Sequence, residues 1–85
     1  MKYYLGKIGE RNGEMEYSDK YLFATKGNPA KHADKVAREW RGCVKGDWDD
    51  DDGGYWSEHT LVYVEDYREI PKEDYEVLKK YIAVL

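Results

Sequence analysis

Eighty-five residues make one domain with a small core, since a chain this short buries only roughly 60–65% of its unfolded surface. Apolar residues make up 41% and charged ones 38%, against the usual ~45–50% and ~25%. The lone Cys43 excludes an intrachain disulfide framework, and with no secretory leader or apolar run near ~18 residues the expectation is a cytoplasmic protein without membrane spans. The net charge of −4 hides an asymmetry: residues 1–42 carry nine Lys/Arg against six Asp/Glu, and residues 43–85 carry five against twelve. Nine Tyr, three Trp and one Phe make up for the thin aliphatic content. Tyrosine can line a core edge and keep its hydroxyl wet, so these rings suit either a binding surface or the rim of a thin sheet.

Lys2 to Gly9 alternates as a strand. Asn12-Gly13 then predicts a type I′ hairpin turn, because both residues tolerate positive φ. Met15 to Thr25 reads as the return strand, and broken alternation at Ser18-Asp19 predicts a bulge there. Asn28 is a suitable N-cap for a helix with Pro29 in its first turn. Ala33, Val36, Ala37 and Trp40 form its apolar stripe, and Gly42 is its stop. Cys43 to Trp48 is a doubtful third strand, and Tyr55 to Tyr67, rich in β-branched and aromatic residues, is the clearest strand. After Ile70-Pro71, residues Tyr75, Leu78, Tyr81, Ile82 and Leu85 recur at helical period. The order ββαββα predicts an α+β domain over residues 1–85, with a mostly antiparallel sheet of three to four strands and both helices on one face.

The densest chemistry lies at Asp47, Trp48, Asp49, Asp50, Asp51, Asp52, Tyr55 and Trp56, around the Gly53-Gly54 pair. Like charges this close repel, so the loop is solvated, binds a cation or meets a basic partner. Asp47, Asp49, Asp51 and Glu58 match positions 1, 3, 5 and 12 of an EF-hand loop, but Asp52 takes position 6, where the turn needs glycine. Cys43 to Gly46 is no helix either, which leaves weak Ca²⁺ or Mg²⁺ association and no dedicated metal site or cofactor, with a Ca²⁺- or small-ligand-binding module as an alternative function. A partner protein with a basic surface fits better: the acids would steer the encounter while Trp48, Tyr55 and Trp56 supply contact area.

Lys31, Lys35, Arg38 and Arg41 line one face of the first helix and, with His32, form an alternative surface for nucleic acid. The pairs Asp34/Arg38 and Lys35/Glu39 offer the plainer reading, an exposed helix laced by ion pairs. Self-association of this helix with the acidic loop of a second copy is a third option. Catalysis finds little support. Cys43 would need His32 or His59 as its base and no motif surrounds any of them, and phosphate-binding, dinucleotide and zinc spacings are absent.

Trp40-Arg41-Gly42, Gly46-Asp47-Trp48 and Gly53-Gly54-Tyr55-Trp56 precede the run Arg68-Glu69-Ile70-Pro71-Lys72-Glu73-Asp74-Tyr75-Glu76-Val77-Leu78-Lys79-Lys80-Tyr81. Together they resemble the C-terminal part of small uncharacterised phage- and plasmid-borne proteins. Tiny acidic α+β proteins of that style include anti-CRISPR proteins and other inhibitors of bacterial defence. The resemblance implies a non-enzymatic protein binder and assigns no residue roles.

Overall fold

The structure, a computed structural model, describes all 85 residues. Its strands are β1 (Lys2–Asn12), β2 (Met15–Thr25), β3 (Trp48–Asp49), β4 (Gly54–Ser57) and β5 (Thr60–Ile70). Its helices are α1 (Pro29–Trp40) and α2 (Lys72–Leu78), with a 3₁₀ turn at Lys45–Asp47. The class is α+β as expected, but the sheet has five strands, ordered β2-β1-β5-β4-β3 with every neighbour antiparallel. α1 carries the chain from the β2 edge across the sheet to the β3 edge. No helix is long and apolar enough to cross a membrane.

The predicted strand over residues 55–67 is two strands. They are joined by a two-residue turn at Glu58-His59, with Ser57 opposite Thr60 and Glu58 at φ 56°. Positive φ is uncommon outside glycine, so no glycine marks the turn. The Cys43–Trp48 strand is corrected as well: Lys45–Asp47 is 3₁₀, and only Trp48 and Asp49 pair with β4. The first hairpin turns one residue later than expected. Asn12 pairs with Met15, and Gly13 alone takes positive φ (61°), which is the requirement of a type II′ turn.

Ser18-Asp19 is not bulged, because β1 and β2 stay in register from Lys2/Thr25 to Asn12/Met15. Alternation fails there for another reason: residues 15–20 run beyond the covered part of the sheet and are exposed on both sides. The irregularity lies between β1 and β5, where Lys7 faces Asp66 but Ile8 faces Val64, leaving Glu65 as the extra residue.

Alternate residues of a strand point to opposite faces. On one face Tyr4 and Ile8 of β1 join Tyr21, Phe23, Val62 and the α1 residues Val36 and Ala37 in the buried cluster. Phe23 stacks on Tyr4 at 4.9 Å between ring centroids, and His32 of α1 lies over it at 4.5 Å. Tyr3 points the other way and meets Tyr75 of α2 at 4.8 Å. The helices therefore lie on opposite faces rather than on one.

α1 begins and ends as its sequence predicts. Asn28 accepts from the Ala30 N–H at 2.9 Å, and Pro29 sits in the first turn, where its missing N–H leaves no bond unmade. At the other end Gly42 takes φ 71°, its N–H donating to Glu39 and that of Cys43 to Arg38, which closes a Schellman motif. α2 stops at Leu78, although the apolar period continues to Leu85. Beyond it residues 79–82 continue as turns, with the Ile82 N–H donating to Leu78, and residues 83–85 then run along the outer edge of β2: the Leu22 N–H donates to Ala83 (2.8 Å), and the Leu85 N–H to Leu22 (2.9 Å). Of the late apolar residues only Leu85 lies in that strap along β2, and Tyr81 stays 83% exposed in the turn before it.

Candidate interaction surface at the acidic hairpin

The acidic run forms the tip of the β3–β4 hairpin, and its carboxylates have unequal tasks. Asp47 accepts from the Val44 N–H at 2.9 Å and closes the 3₁₀ turn. Asp49 organises the loop. Its Oδ1 accepts from the Asp51 and Asp52 N–H groups at 2.9 and 3.3 Å, its Oδ2 from the Trp56 indole at 3.2 Å, and its carbonyl from the Gly53 N–H at 2.8 Å. An aspartate that accepts from the backbone two and three residues on tightens a turn. Gly53, at φ 69°, then lets the chain reverse. Gly54 leaves no room for a Cβ beside the Val62 carbonyl (2.6 Å) and the Leu61 side chain, so the loop returns tight against β5.

Asp50, Asp51 and Asp52 remain exposed. Asp50 accepts from the Trp48 indole at 2.5 Å, and Asp52 lies 3.9 Å from the Arg11 guanidinium. The three aromatics do not form one patch. Trp48 and Tyr55 share the α1 face in an edge-on pair 5.1 Å apart, and Trp56 occupies the opposite face. Trp48 is 43% exposed, whereas Tyr55 is buried with its hydroxyl donating to Asp34 at 2.7 Å. Burial, followed by the Asp34 carboxylate, pushes the Tyr55 phenol above its ordinary range. Trp48 is thus the accessible aromatic beside the acids, and Tyr55 joins the hairpin to α1.

The EF-hand reading fails on geometry. Its loop is a β-hairpin tip, Glu58 lies in the turn at the far end of β4, and no three His, Cys, Asp or Glu side chains are placed to hold a metal ion.

The basic stripe is partly engaged within the chain. Arg38 lies 3.8 Å from Asp34, and Arg41 bonds Glu10, which leaves Lys31 and Lys35 as its unpaired exposed cations. Glu10 was not legible as special in the sequence. It is 6% exposed on β1, with one oxygen accepting from the Trp40 indole at 3.1 Å and the other from Arg41. A buried carboxylate with charged and neutral donors fixes the end of α1 against the sheet. The alternation of β1 does place residue 10 on the inward face with Tyr4 and Ile8, the one signal that could have found it.

Cys43 is buried, its thiol 3.7 Å from the Trp56 carbonyl. Burial and then the Asp47 carboxylate push that thiol up, which disfavours the nucleophilic thiolate. His32 is held between Phe23 and the Leu85 carbonyl (3.1 Å), and His59 sits exposed in the β4–β5 turn. No protein-family model, curated protein or solved structure matches the chain.

Proposed function

We propose that this is a non-enzymatic binding protein whose β3–β4 hairpin docks on a basic protein surface, in the manner of the small inhibitors that the sequence resembles. The observation that carries the reading is the Asp49 carboxylate, which holds the loop by three hydrogen bonds and so presents Asp50, Asp51 and Asp52 in a set arrangement. A loop ordered before binding loses less conformational entropy on docking, so like charges held together become an organised surface. Exposed acids at the rim chiefly raise the association rate, and Trp48 beside them supplies contact area. The helix stripe is a weaker nucleic-acid surface, since two of its four cations already face carboxylates.

The test is capture from a nuclease-treated bacterial lysate, with the wild type beside Asp50→Asn/Asp51→Asn/Asp52→Asn, followed by association kinetics with the captured protein. Asp49 is left intact because it shapes the loop. The reading expects a partner that the triple variant binds more slowly, with a flatter salt dependence. A partner bound equally by both proteins, or one lost on nuclease treatment, overturns it.

A further inference from the structure

The sheet has one long edge, and its hydrogen-bonding groups are free over a defined stretch. Leu22 turns its N–H and C=O outward, and the C-terminal strap takes both. Peptide groups alternate along a strand, so Lys20, Ser18 and Glu16 also turn theirs outward, where no strand meets them. The strap closes this stretch at Leu22 and the Gly13-Glu14 turn closes it at the other end, which leaves residues 15–21 with Ser18 at their midpoint. Met15 and Tyr17 in this stretch are 59% and 50% exposed, an unusual load of large side chains for an unprotected edge.

We propose that two copies of the chain pair antiparallel through residues 15–21 of β2, Ser18 opposite Ser18, to make one ten-stranded sheet. In that register Glu16 of each copy faces Lys20 of the other, so the two-fold axis generates two ion pairs on one face. Neither Glu16 nor Lys20 forms an ion pair within its own chain: Arg11, opposite Glu16, lies against Asp52, and Lys7, opposite Lys20, lies 4.0 Å from Glu65, so Lys20 is the ammonium of that ladder position left for an incoming carboxylate. On the other face Tyr17 stands opposite Asp19 of the second copy, and the two Tyr17 rings become diagonal neighbours within aromatic reach.

The competing registers are worse. Centring on Glu16, Asp19 or Lys20 sets that charge against its own copy, and centring on Tyr17 sets Glu16 against Ser18 and offers Lys20 only Glu14, which lies in the turn outside the strand. The acidic hairpins lie on the opposite edge of each sheet, so the dimer would carry one at either end and leave both free.

Sedimentation equilibrium over a wide concentration range tests the proposal. The wild type should approach twice the 10.0 kDa chain mass as concentration rises. Glu16→Lys alone and Lys20→Glu alone should each weaken association roughly tenfold or more, because each change places two like-charge pairs in the interface. The double exchange Glu16→Lys/Lys20→Glu should restore the dimer, and circular dichroism on each variant verifies an unchanged fold. A wild type monomeric up to millimolar concentration, a dimer indifferent to Glu16→Lys, or a double exchange that does not recover association would each overturn it.

Discussion

Gly6 and Gly9 sit three residues apart on the same strand and face opposite sides of the sheet. Each is covered by a tyrosine from the residue directly across the ladder, Tyr21 of β2 over Gly6 and Tyr63 of β5 over Gly9. At both positions a Cβ would overlap the phenol ring. A ring laid over a strand glycine replaces the packing that the glycine lacks. The surroundings then separate the two pairs. Tyr21 is 1% exposed in the cluster under α1, and its hydroxyl has no hydrogen-bond partner. Tyr63 is half-buried on the face away from α1. One motif thus serves a sealed face and an open face, and substitutions distinguish the two by whether the ring has somewhere to go.

The largest effect is expected from Gly6→Ala. The new methyl meets a ring enclosed by neighbours that cannot retreat, and overpacking of this kind costs about 3 kcal/mol at its upper range. For a domain of this size that lowers the melting temperature by roughly 10–20 °C. A loss below about 1 kcal/mol in a denaturant titration would show that the α1 face yields more readily than its close packing implies.

Alkaline pH probes the same face. Burial pushes the Tyr21 phenol up from 10.0 to about 12. The folded state therefore keeps a proton that the unfolded state releases, so stability is intact below about pH 10 and falls as pH rises towards 12. Holding the phenol protonated across that window costs the fold about 2–3 kcal/mol. Burial also raises Tyr55 and Tyr63, and both add loss of the same sign. Tyr21→Phe should flatten this decline. Near neutral pH it should also stabilise the fold by about 1 kcal/mol, since it removes a buried hydroxyl that bonds to nothing. Chemical denaturation of both proteins at pH 8 and pH 11 measures the two effects together, and equal slopes against pH would overturn the assignment to Tyr21.

The sequence shows those parts of the molecule where one residue type has one structural use. Asn28-Pro29 and Gly42 mark the ends of α1 because capping and positive φ are local requirements. The Ala33, Val36, Ala37 and Trp40 stripe was equally plain, but only the first three residues are buried under α1, and Trp40 is exposed at its end with its indole donating to Glu10. Elements set by distant partners were hidden. The β4–β5 turn uses Glu58 at positive φ, a conformation sustained by the ladders on both sides rather than by its own preference. Residues 79–85 keep a helical apolar period, but the helix gives way to turns at 79–82 and residues 83–85 extend beside Leu22, so tertiary pairing overrides it. At the acidic hairpin the cluster and its aromatic neighbours were visible. The division of work between Asp49 and Asp50–Asp52, and of the rings between two faces, follows from a β3 strand of only two residues, too short to leave a period.

The smallest expected effect, and the sharpest control, is Gly9→Ala. Here the added methyl displaces Tyr63, whose outer ring atoms are the ones in the way. A half-exposed ring can rotate away from the strand without opening a cavity, so the enthalpic loss is limited to its cover over β1. Against that loss, alanine restricts the unfolded chain and returns about 0.4–1 kcal/mol. The two contributions nearly cancel, and Gly9→Ala should lie within about 1 kcal/mol of the wild type. The freed Tyr63 phenol would leave the Glu16 and Glu65 carboxylates that, after burial, hold its pKa up, so its titration should move back towards its ordinary range. If Gly9→Ala proved as costly as Gly6→Ala and the Tyr63 titration did not move, the ring would be held as firmly on the open face as on the closed one. The difference between the faces would then lie in burial alone and not in freedom to move.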